Sequence, residues 1–145
     1  MARRQFTTFY LERYLFGIEI ERVQEVIRAQ ELTRVPLAPQ VVEGLINLRG
    51  QIVTAIDLRR RLELAERPAT DSPMNIVLPS SGGVVSLLVD RVGEVVEVDD
   101  SSFEAPPETL RGAAREVIRG AYKLDRNLLL VLNVERVLRL DEESR

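Results

Sequence analysis

Of the common catalytic constellations, a carboxylate-only site is the one this sequence leaves open. Its 145 residues include no cysteine and no histidine. That removes disulfides, thiolate metal sites and every serine–histidine or cysteine–histidine relay. The acids that could move protons are Asp57, Asp90, Glu97, Asp99 and Asp100. Asp57 ends an apolar run just before LRRRL, where its carboxylate reads as a helix N-cap. Asp90 reads as a turn residue at a strand end, and Asp99 with Asp100 as a solvated turn. The glycines offer no phosphate loop. SSGG at 80–83 lacks the Lys-Ser/Thr that would hold phosphate and metal, and it reads as a hairpin turn. No cofactor and no metal are expected. The balance falls toward a binding or scaffold protein, with a small enzyme using an inter-lobe groove as the competing class.

Two groups of arginines invite a binding role. Arg49 sits beside Gly50 at the tip of an apolar hairpin. It is either an exposed turn residue or a recognition arginine whose planar fork suits carboxylates. Arg59, Arg60 and Arg61 read as one solvated helix face, offset by Glu63 and Glu66. The net charge is −3 and aromatic residues are 5% of the chain. An oligonucleotide-binding barrel needs a basic, aromatic face, so nucleic acid is not expected as a partner.

These residues stand on a stretch that organises the chain, 42–62, VEGLINLRGQIVTAIDLRRRL. Two apolar runs flank Arg49–Gly50 and predict a β-hairpin, and Asp57 then opens a short helix. The pattern returns. GLINLRGQIVTAIDLRRRL from Gly44 lies without gaps over GAYKLDRNLLLVLNVERVL from Gly120, with Asp57 over Asn133. GIEIERVQEVI from Gly17 lies over SLLVDRVGEVV from Ser86, with Val23 over Val92 and Glu25 over Glu94. A proline patch separates each pair of matches. The chain therefore carries two similar units, too few for a solenoid.

Strands are predicted over 6–11, 14–20, 75–78, 84–89, 92–98, 116–123 and 128–132. A short helix is predicted over 21–28, because Ile20, Val23, Val26 and Ile27 have helical spacing. Others are expected over 58–64 and 134–140. The segment 65–73, with Pro68 and Pro73, reads as a loop, as does 110–114, and the charged end at 141–145 is expected to fray. Apolar residues make up 45% of the chain, enough for a core. No apolar run approaches the ~18 residues of a membrane span, and the N-terminus has no signal-peptide hydrophobic region. A cytoplasmic protein without direct membrane insertion is expected.

Four of these motifs together resemble the CheW family of bacterial chemotaxis coupling proteins. They are VQEVI at 23–27, VPLAP at 35–39, GLINLRG with IVTAIDLRRRL at 44–62, and LLVDRVGEVV at 87–96. The resemblance runs from Phe6 to about Leu138. It implies a mainly β fold of two SH3-like five-stranded β-barrels related by a pseudo-twofold, with short helices. The whole chain would be a single CheW-like domain. Its subdomains would span about 14–72 and 75–138, with the N-terminal strand 6–11 crossing to the second. The family has no catalytic activity, so no enzyme is implied. The implied role is an adaptor between transmembrane chemoreceptors and a CheA-type histidine kinase. The partners would be the kinase regulatory domain and the cytoplasmic helical tip of a receptor. The chain would be a monomer when isolated and would be recruited to receptor arrays at the membrane. By motif matching, Val23, Glu25, Arg49 and Val92 fall on receptor-binding positions and Gly44 on a kinase-binding position. Paralogous CheW-like adaptors serve gliding, type IV pilus motility or second-messenger pathways and would share these motifs.

Overall fold

Alternating apolar residues, rich in Val, Ile and Leu, make strands the main regular structure of this chain. A computed structural model describes residues 2–139, so the charged end at 141–145 lies outside the described residues. The elements are β1 (Arg3–Leu11), β2 (Tyr14–Glu19), β3 (Glu25–Ile27), β4 (Val42–Leu48), β5 (Gln51–Asp57), α1 (Leu58–Arg61), β6 (Met74–Ser80) and β7 (Gly83–Val89). They continue with β8 (Arg91–Val92), β9 (Val96–Asp99), α2 (Gly112–Val117), β10 (Ile118–Lys123), β11 (Leu128–Leu132) and α3 (Val134–Val137). No helix is long and apolar enough to cross a membrane among the described residues.

The strands form two sheets. The first runs β10-β11-β2-β1-β8, with β9 also paired to β1; the second runs β3-β6-β7-β5-β4. Each takes one hairpin from one repeat and the remaining strands from the other. The β1–β2 hairpin joins β10 and β11 through a parallel β11–β2 pair. The β6–β7 hairpin joins β4 and β5 through a parallel β5–β7 pair. The two repeats thus exchange their hairpins.

The duplication holds at the level of single hydrogen bonds. Both β4–β5 and β10–β11 carry an irregularity just before a glycine, Gly44 opposite Ala55 and Gly120 opposite Val131. The Asp57 amide donates to the Val41 carbonyl at 2.8 Å, and the Asn133 amide to the Val117 carbonyl at 2.7 Å. Gln24 donates to Val77 at 2.8 Å, and Gly93 to Thr8 at 2.9 Å. Single bridges, Thr33 to Leu45 and Glu104 to Ala121, lay the chain leaving one edge strand across the opposite edge.

Three buried clusters follow from this layout. One, with Ile46, Leu48, Val53 and Val77, lies inside the second sheet and includes both edges, since Ile27 of β3 packs against it. Another, with Phe6, Val98, Tyr122 and Leu129, occupies the same place in the first sheet. Edge strands that share a core require each sheet to curl. The third and largest cluster joins the sheets, with Phe9, Leu11 and Phe16 meeting Ile56, Ile76 and Leu87.

Several expectations need correction. The helix predicted over 21–28 is a single 3₁₀ turn, Ile20–Arg22, followed by strand β3. Pairing with β6 overrides the helical spacing, and the second copy, read as strand, agrees. The segment 110–114, read as a loop, runs into helix α2, which delays the following strand to Ile118. The three arginines are not a solvated face: Arg59 and Arg61 are buried. Nor is Asp90 a simple turn residue. It accepts from Arg59 at 2.5 Å, from Arg67 at 3.0 Å and from the Glu12 amide at 2.6 Å.

Candidate functional site

Arg49 and Glu25 meet across the mouth of the second sheet. The turn that carries Arg49 is built locally. Arg49 and Gly50 both have positive φ, 52° and 88°, as a two-residue hairpin turn with the right twist demands. Asn47 steadies it by accepting from the Gly50 amide through Oδ1 at 2.8 Å. Glu25 opens β3, opposite Val77 of β6. The Arg49 guanidinium donates to the Glu25 carboxylate. The Arg49 side chain is 67% exposed and that of Glu25 25%, so the pair presents its polar edge outward.

Val23 and Val92 sit at matching places where the chain passes between the sheets. Each is half-buried and packs against the central cluster. Val92 pairs with Phe9 of β1. Val26 and Val95, the next matching pair, are exposed.

Gly44 is unlike the others. It is buried within β4, and a Cβ there would lie 2.6 Å from the Thr33 carbonyl oxygen. The missing side chain lets the segment at Thr33 cross the edge strand. Gly120 repeats the arrangement, with a Cβ position 2.4 Å from the Glu104 oxygen and 2.3 Å from the Phe103 ring. The structure thus brings Glu25 to Arg49 and both valines to one cluster, and it gives Gly44 a packing role.

Asp57 is the N-cap the sequence predicts, accepting from the Arg59 amide at 3.1 Å, and Asn133 caps α3 in the same way. The other acids form no catalytic array. Asp90 is held by two arginines. Burial is the strongest influence on its carboxyl and pushes its pKa up. The hydrogen bonds from Arg59, the Glu12 amide and Arg67 together outweigh this and hold it below the ordinary carboxylate range. Asp99 accepts from the amide and hydroxyl of Ser101, which lower its pKa. No group of acids among the described residues could hold a metal ion.

Sequence reasoning missed the Asp90 network, whose partners stand 23 to 78 positions from it along the chain. The available signal was a charge difference between the copies, since Arg59 lies over Glu135.

The profile of the CheW-like domain matches residues 5–142. The chain is 33% identical over 129 residues to the chemotaxis protein CheW of Bacillus subtilis, covering 89% of this chain and 81% of the relative. It is 30% identical over 137 residues to that of Treponema pallidum, covering 92% and 81%. The crystal structure of the scaffolding protein TtCheW from Thermoanaerobacter tengcongensis superposes with a TM-score of 0.86 at 28% identity, covering 99% of this chain and 98% of that one. By sequence and by fold, this chain belongs to the CheW family, a family of chemotaxis scaffold proteins without catalytic activity.

Proposed function

We propose that this chain couples the cytoplasmic tip of a chemoreceptor to the regulatory domain of a CheA-type histidine kinase. The observation that carries the reading is the placement of the motif residues. Glu25 and Arg49 form an exposed polar pair at one sheet's edges, while Val23 and Val92 flank the passage between the sheets as half-buried anchors. A receptor tip is a helical hairpin, and small apolar side chains with a charged rim suit an amphipathic helix. Valines, in place of Trp or Tyr, suit contacts that must be reversible.

In this reading Val23, Glu25, Arg49 and Val92 face the receptor. Gly44 acts on the kinase side by letting the segment at Thr33 lie close over β4. The chain works in the cytoplasm and joins the membrane array through its partners. Co-sedimentation with receptor-bearing membranes and kinase tests the reading: the chain should pellet with the receptor and carry kinase with it. Failure to pellet would overturn the receptor assignment.

A second reading has one observation in its favour. The chain is also 27% identical over 138 residues to the protein FrzA of Myxococcus xanthus, covering 93% of this chain and 85% of that one. A paralogous adaptor of gliding, type IV pilus or second-messenger signalling would use the same surfaces with another receptor. The receptor that pellets the chain decides between them.

A further inference from the structure

The two halves of the chain are not filled alike. Between the second sheet and α3 lies a cavity of about 530 Å³, floored by Thr54, Ile56, Ser80, Val85 and Leu138. The ion pair of Arg22 and Glu135, at 2.6 Å, stands at its edge together with Arg139. The internal repeat shows what the same space holds in the other half. Leu130 stands in place of Thr54, Leu11 in place of Ser80, Phe16 in place of Val85, and Leu62 in place of Leu138. All four are buried in the central cluster. Arg59 stands in place of Glu135 and closes the site by reaching Asp90. One half is thus packed with leucine and phenylalanine side chains. The other, with the same backbone pairing, has Thr, Ser and Val and an open volume.

We propose that this cavity is a docking site for a leucine- or phenylalanine-sized side chain of a partner protein, flanked by an acidic residue. The size is set by Leu130, Leu11 and Phe16, which fill the equivalent space where this half has Thr54, Ser80 and Val85. The charge is set by the mouth, which holds two arginines against one glutamate. Glu135 is already paired with Arg22, and Arg139 has no ion pair among the described residues, which leaves it to receive a carboxylate. Neither Glu25 nor Arg49 lines the cavity, although Arg22 at its edge is the chain neighbour of Val23.

The test is an amide NMR titration of the full chain with a short, capped, alanine-based helical peptide carrying two leucines one turn apart, flanked by glutamates. Saturable shifts centred on Thr54, Val85 and Leu138 are expected. The same peptide with serines for leucines should give none, and one with lysines for glutamates should bind at least tenfold more weakly. Val85→Phe fills the cavity as Phe16 fills the other half, and it should weaken binding at least tenfold with an unchanged or higher Tm. If that variant does not fold, Thr54→Leu serves the same purpose. Absent shifts, or shifts that survive filling of the cavity, would overturn the site, and equal binding of the lysine peptide would overturn the acidic flank. Movement of the same resonances on removing 140–145 would make the chain's own end the occupant and overturn the proposal.

Discussion

Glu25 and Arg49 join opposite edges of one sheet: the carboxylate lies on edge strand β3, and the guanidinium on the hairpin that begins with the other edge strand, β4. The curl of the sheet brings together two residues that are 24 positions apart in sequence. The Arg49 side of the pair is largely open to solvent, so its contribution to stability is at most about 1 kcal/mol. Its exposure leaves both groups available to a partner.

Arg49→Glu should therefore lower stability by no more than about 1 kcal/mol in urea unfolding, while weakening assembly with kinase and receptor at least tenfold. Exchanging the charges, Glu25→Arg with Arg49→Glu, should restore the pair and leave assembly weak. Recovery of assembly by the exchange would mean that the pair matters only as an internal clasp.

Val23→Thr with Val92→Thr puts a hydroxyl in place of a methyl and so removes apolar contact with little change of side-chain volume. Because both residues are half-buried against the central cluster, a charged substitution would damage the core as well as the surface. The threonine pair should weaken receptor binding more than kinase binding, as read by titrating each partner separately. Equal losses would place these valines in the core alone.

Gly44→Ala places a methyl 2.6 Å from the Thr33 carbonyl oxygen, a backbone atom that cannot move aside cheaply. Thermal unfolding should show a loss of about 1–3 kcal/mol, the usual scale for overpacking. Gly120→Ala should cost at least as much, since a methyl there meets both the Phe103 ring and the Glu104 oxygen. Wild-type stability in both variants would contradict the close approaches.

Asp90→Asn strips the charge from a carboxylate whose side chain is 14% exposed and leaves Arg59, 9% exposed, without its counter-ion. The expected loss at neutral pH is about 3–5 kcal/mol. The pH dependence has a definite sign. The folded-state pKa of Asp90 is depressed, so its contribution is present above the unfolded value of about 3.9 and disappears as pH falls through the lower folded value. Stability of the variant should fall less steeply than that of the parent as the pH is taken from about 5 to about 2. Parallel curves would show that another acid carries the acid sensitivity.

Local chemistry explains which parts of this fold were legible. The hairpin at 42–57, its Arg-Gly turn and the cap Asp57 depend on neighbours within a few residues, and the structure has all three; Asn133, aligned with Asp57 in the repeat, caps α3. The repeat of Gly44 at Gly120 was legible because the same close approach recurs in both copies. The exchange of whole hairpins was not, beyond the crossing of strand 6–11 that the family resemblance implies, since a duplicated pattern says that strands match and not which copy they pair with. The error at 21–28 has the same origin: the spacing of Ile20, Val23, Val26 and Ile27 suits a helix, but β6 offers Glu25–Ile27 a free edge. Arg61 was misread because the Val137 carbonyl that receives it lies 76 residues away. At the candidate site, motif likeness picked out Glu25 and Arg49 separately, and only the curled sheet shows them as a pair.

Calorimetry with the regulatory domain of a CheA-type kinase from the same organism tests the proposed kinase coupling. One-to-one binding with a Kd of about 1 μM or tighter, weakened by Gly44→Ala in a variant that still unfolds cooperatively, is the predicted result. Absence of binding heat and of co-elution with every such kinase that the organism encodes would rule out that coupling.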